Sequence, residues 1–141
     1  MKDIYENPLI TRYASRQMAE NFSDDTRFKL WRRLWIALAE SEKELGLPVT
    51  DAQIAEMKKY ADDINYDVAE AREREVRHDV MAHVYAFGMQ ARSAMPIIHL
   101  GATSCYVTDN ADLIIYREGL RYLRGELLAV VANLSKFAEQ Y

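Results

Sequence analysis

Large apolar residues recur along this chain at steps of three and four, the spacing that lines one face of an α-helix. Phe28, Trp31, Leu34, Trp35, Leu38 and Leu45 form the first such run. Ser23 precedes it as a candidate N-cap, Asp24 and Asp25 suit the positive end of a helix dipole, and Gly46 with Pro48 closes it. Thr50 and Gln53 have the spacing of a capping box and open a shorter helix through Ile54, Met57 and Tyr60. Asp67 and Glu70 repeat the device less perfectly for a third helix. Val80, Val84 and Phe87 predict a fourth from Asp79 to about Gln90. The opening segment, Met1 to Phe22, holds no sustained period and is expected to be an extended arm with at most a short helix.

A loop rich in small residues (ARSAMPIIHLGATS) follows the fourth helix, and after it the pattern changes. Leu113, Tyr116, Leu120, Leu123, Leu127, Val130, Leu134, Phe137 and Tyr141 alternate steps of three and four without a miss, a period of 3.5. This predicts a bundle or coiled-coil helix of about 30 residues. A second apolar set, Ile114, Ile115, Leu128, Val131 and Ala132, lies beside the seam, more surface than one neighbour can cover. Several partners, or self-association, are expected. The pattern reaches Tyr141 with no stop signal, which reads as a truncation. The expected organisation is all-α: an N-terminal helical domain over residues 1–100, then the start of a central bundle domain over 101–141.

Composition narrows the picture. Five Gly and three Pro in 141 residues are poor material for many strands and turns. A net charge of -4, with both signs interleaved, lacks the basic footprint of a nucleic-acid binder. One cysteine, Cys105, cannot form an internal disulfide, and the start MKDIYENPLI lacks the pattern of a secretory signal. Charges interrupt every apolar segment, so no membrane span is expected. The default location is the cytoplasm.

Two segments carry candidate chemistry. Arg77 to Val84, R-H-D-V-M-A-H-V, gathers two histidines, an arginine and an aspartate. His78 and His83 are five apart, about 140° around a helix, which does not suit one metal ion. A structural reading has Arg77 and Asp79 capping the helix and His83 paired with Asp79. A functional reading has Arg77 and His78, cationic groups at a helix start where the dipole does not favour them, meeting an anionic ligand. Ile97 to Asn110, I-I-H-L-G-A-T-S-C-Y-V-T-D-N, leads from Gly101 through Thr103 and Ser104 into the long helix. Hydroxyls and N–H groups there can cradle a carboxylate or phosphate; equally, Ser104 or Thr108 can be a plain N-cap.

Four strings in order, R-Y-A-S at Arg12 to Ser15, L-W-I-A-L-A-E-S-E-K-E-L-G-L-P-V-T-D at Leu34 to Asp51, and the two segments above, resemble adenylosuccinate lyases. The resemblance spans nearly the whole chain and implies the N-terminal part of such an enzyme. That family belongs to the fumarase and aspartase superfamily, with all-α subunits in a homotetramer. It eliminates fumarate from adenylosuccinate to give AMP, and likewise from the succinylated carboxamide ribotide of purine biosynthesis, without cofactor or metal. Carried over position by position, Arg12 and Tyr13 match a pair facing the nucleotide, chiefly its phosphate. Arg77, His78 and Asp79 match substrate contacts near the reacting part, and Thr103 with Ser104 match a pair near the succinyl carboxylates. His99 matches a histidine lining the same region and ranks below them.

The resemblance also implies that the family's acid and base lie beyond Tyr141, so catalytic residues proper are absent and this chain alone is expected to be inactive. Ser93 to Pro96 spells S-A-M-P, but Ile97 and Ile98 follow where the family's mobile loop has other residues. Another lyase of the superfamily, or a carboxymuconate cycloisomerase, shares the G-x-T-S loop, but the R-Y-A-S arm and the C-Y-V-T-D-N continuation argue against both. A helical interaction module is the alternative outside enzymes.

Overall fold

The computed structural model describes residues 6–141; the first five residues of the expected arm lie outside the described residues. Among the described residues the chain is helical, with no strand. Two compact units are distinguished: residues 24–112, and residues 6–23 with 113–141.

In the first unit α2, Asp24–Glu44, turns Trp31, Trp35, Ile36 and Ala39 into the core at the predicted spacing. Its end is a Schellman motif. Gly46, at φ +88, lets its own N–H reach Lys43 O and the Leu47 N–H reach Glu42 O. The α3 helix, Asp51–Lys59, opens with the expected reciprocal capping box: Thr50 N donates to Gln53 Oε1 at 2.9 Å and Gln53 N to Thr50 Oγ1 at 3.3 Å. The α4 helix, Tyr66–Val76, differs from expectation. Its N-cap is Asn65, which accepts from Val68 N, and Asp67 sits inside the first turn. Asparagine is as good a cap as aspartate, so the helix starts earlier than the Asp67–Glu70 spacing implied.

The α5 helix, Asp79–Gln90, has the predicted bounds. Between it and the last helix, residues 91–101 form a chain of turns that buries Ala91, Ala94, Ile97 and Ile98. A side chain at Gly88 would meet Met95 Cγ at 2.7 Å, so glycine lets the chain return this closely without displacing Met95. The turns are tied to α3 through Ser93, whose carbonyl accepts from Gln53 Nε2 and whose N–H donates to Glu56.

A guanidinium lies within this core. Arg32, 1% exposed, donates to the carbonyls of Tyr60 and Asp63 and to Gln90 Oε1, with its guanidinium 4.5 Å from the centre of the Phe87 ring. Tyr60 ends α3, and a cation suits the carbonyl end of a helix. Burial lowers the Arg32 pKa to about 10, still charged at neutral pH.

The last helix, α6, runs Ser104–Gln140, 37 residues, longer than the seam alone implied because its first turns bury Val107 and Ala111. In the second unit the arm forms a π-type turn, Leu9–Tyr13, and the short α1, Arg16–Asn21, capped by Ser15. Asn21 donates to Ile115 O, and the Phe22 ring lies over Gly119 and near Tyr116. The seam residues from Leu113 to Tyr141 are exposed. Among the described residues no helix is long and apolar enough to cross a membrane.

Candidate functional site

Arg77 does not start a helix; it ends one. At φ 54 and ψ 41 it is the C-cap of α4, its N–H on Glu73 O, and this left-handed residue reverses the chain directly into α5. His78 is then the N-cap of α5, and its Nδ1 accepts from Met81 N at 3.4 Å. A backbone N–H can only donate, so the ring proton lies on Nε2. Nε2 lies 3.3 Å from Ser104 Oγ, at the first residue of α6. Twenty-six residues apart in sequence, His78 and Ser104 thus form one polar corner where two helices begin.

The corner is open: the His78 side chain is 44% exposed and Ser104 half-buried. With Ser104 Oγ accepting from His78, its hydroxyl proton is free for a ligand. Asp79 Oδ1 accepts from Val80 N and lies 3.7 Å from His78 Nδ1, beside the corner. Thr103, exposed, precedes α6, and Thr108 turns its hydroxyl back to Ser104 O. Two helix starts bring positive dipole ends and N–H groups, so the arrangement suits an anionic oxygen.

His83 has a different role. It is buried, stacked on Phe28 with ring centres 3.8 Å apart and edge-on to Trp31. Burial, then the Arg32 charge, pushes its pKa down to about 4. It is a core aromatic, and the expected pairing with Asp79 survives only as a weak electrostatic influence. Arg12 and Tyr13 are exposed in the other unit, the guanidinium 5.7 Å from the Tyr13 ring centre. Arg77 is exposed beside Glu70, Glu73 and Arg74 on α4. The structure therefore brings His78, Asp79 and Ser104 together at one corner, with Arg77 and Thr103 adjoining it in the chain.

By sequence, the chain belongs to the adenylosuccinate lyase family. It is 52% identical over 134 residues to the adenylosuccinate lyase of Schistosoma mansoni and 50% identical over 142 residues to that of Saccharomyces cerevisiae. These alignments cover 95% and 99% of the chain. More distantly, it is 28% identical over 134 residues to the Aquifex aeolicus adenylosuccinate lyase. The chain spans only 28% and 30% of the length of the first two relatives. No family model matches it.

Two groups beneath this family segment escaped the sequence reading. Glu42 is 8% exposed, its Oε2 buried without a hydrogen-bond partner, and burial raises its pKa. It lies below the turn at Gly101, where an added Cβ would stand 3.8 Å from Glu42 Oε1. Trp35 is the second: its indole N–H reaches His99. The signal for Glu42 was its place on the buried stripe of α2, at steps of four, four and three along Trp31, Trp35, Ala39 and Glu42.

Proposed function

We propose that this chain supplies part of the substrate site of an adenylosuccinate lyase, which eliminates fumarate from adenylosuccinate and from the succinylated carboxamide ribotide. The observation that carries this reading is the corner formed by His78 Nε2 and Ser104 Oγ, 3.3 Å apart, within a sequence half identical to such enzymes. In the elimination a base takes a proton from the succinyl carbon, the C–N bond breaks as the carbon–carbon double bond forms, and an acid protonates the leaving nitrogen. Negative charge builds on the neighbouring carboxylate before the bond breaks, and donors fixed in place beforehand stabilise it.

His78 and Ser104 are such donors. The His78 ring is held by Met81 N, and Ser104 by the start of a long helix. Asp79 steadies His78, Thr103 adds a hydroxyl beside Ser104, and Arg77 brings positive charge to the rim. Arg12 and Tyr13 are assigned to the nucleotide phosphate, for which a guanidinium is suited by its paired N–H groups. The acid and base come from sequence beyond this chain, and 101–141 is the start of a central bundle in a cytoplasmic homotetramer. The exposed α6 seam supports that assembly.

The test is a chimera with residues 1–141 replacing the matching segment of the Saccharomyces cerevisiae relative. Fumarate release is expected, and His78→Gln or Ser104→Ala is expected to lower kcat by roughly 10²-fold, the usual cost of losing one positioned donor. An active chimera that keeps its rate within a few-fold in both variants contradicts the assignment.

A further inference from the structure

His99 sits at φ 67, one of two described non-glycine residues with positive φ; the other is Arg77. A side chain held in that region is kept there by its surroundings and not by its own preference. The Trp35 indole N–H donates to His99 Nδ1 at 3.0 Å, the two rings nearly perpendicular at 84°. Trp35 has no room to turn away, being 1% exposed and packed against Trp31 and Phe87.

An indole nitrogen donates and never accepts, so His99 Nδ1 must be bare and the ring proton must lie on Nε2. A proton on Nδ1 would point one N–H at another. We propose that Trp35 is a positioning residue that fixes His99 as the neutral Nε2–H imidazole, a hydrogen-bond donor that cannot serve as a base. Two other facts agree with this. Burial, and then the charge of nearby His78, hold the His99 pKa below the usual histidine range. His78 has the same polarity: its Nδ1 accepts from Met81 N and its Nε2–H faces outward to Ser104.

The consequence rests on the lyase reading. Two imidazoles with bare Nδ1 atoms held from inside and Nε2–H groups left to donate are equipment for gripping an anion, not for removing a proton. The base of the elimination is then neither histidine. Setting His99 this way before the ligand arrives removes the reorganisation that a freely tautomerising ring would need.

The experiment needs no ligand or activity, so its failure is separable from failure of the lyase assignment. Nitrogen-15 spectra of the 141-residue chain are expected to show a scalar coupling between Trp35 Nε1 and His99 Nδ1 across the hydrogen bond. They are also expected to show a single His99 tautomer with its proton on Nε2. Trp35→Phe keeps an aromatic ring in the core but removes the N–H. It should abolish the coupling, leave His99 averaging between tautomers, and raise its titration midpoint toward the ordinary value of about 6.5. A merely structural Trp35 would leave the tautomer and midpoint unchanged in the folded variant, which overturns the proposal. Should the variant fail to fold, the wild-type spectra decide alone: no coupling, or a proton on Nδ1, is equally fatal.

Discussion

Trp35 and Leu127 are both large apolar side chains on long helices, yet Trp35 is 1% exposed and Leu127 is 57% exposed. The unit of residues 24–112 covers its own apolar stripes: α2, α3, α5, the turns after it and the first turns of α6 share one core. The seam from Leu113 to Tyr141 keeps a stricter period than any of those helices and stays exposed almost throughout. Periodicity thus reports which face of a helix is sticky, and says nothing about whether the covering partner lies in the same stretch of chain. The first unit covers its apolar stripes from within and the seam does not, and the two relatives named above are more than three times as long as this chain.

Substitutions should separate the two regions sharply. Trp35→Ala empties a site in a filled core and should cost about 3–5 kcal/mol, read from urea unfolding monitored by circular dichroism. Equal tolerance of Trp35→Ala and Leu127→Ala would erase the distinction. The next effect comes from His83, and its sign follows from its depressed pKa of about 4 against 6.5 unfolded. Above pH 6.5 the group is neutral in both states. As pH falls the unfolded chain takes up the proton first, so stability drops between about 6.5 and 4, by at most roughly 3 kcal/mol. His83→Phe should flatten that part of the stability profile, which thermal unfolding at several pH values would show. Smaller again, Thr50→Ala removes half the capping box of α3 and should cost about 1 kcal/mol. The smallest effect belongs to Leu127→Ala, within about 0.5 kcal/mol in the dilute chain, because no core is lost.

Much of the fold was legible because local chemistry decided it. The Schellman end at Gly46, the Thr50–Gln53 box and the bounds of α5 are set by residues a few positions apart. The cap at Asn65 was missed because two adequate N-cap residues lie close together, and packing chooses between them. Arg32 and Glu42 could not be placed from polarity alone: charged residues belong outside unless partnered, and the partners of Arg32 are carbonyls contributed from near residues 60 and 63.

The candidate site was legible in its residue types but not in its geometry. The sequence offered His78 as a helix-start residue and Ser104 as either a ligand or a plain cap. It could not show that one hydrogen bond joins them, since they stand 26 positions apart with the whole of α5 between them. Nor could it show that His83, in the same R-H-D-V-M-A-H-V string, turns inward onto Phe28. Helical phase put the two histidines on different faces, but which face met solvent depended on α2.

A double-mutant cycle on the chimeric enzyme tests whether His78 and Ser104 act together on one anionic group of the substrate. Fumarate release would be compared for the parent, His78→Gln, Ser104→Ala and the double variant. Groups working as a unit lose their effect together, so the double variant should fall by about the same roughly 10²-fold as either single one. A double variant slowed by the product of the two single losses, roughly 10⁴-fold, would mean that the two side chains act independently and would contradict the shared site.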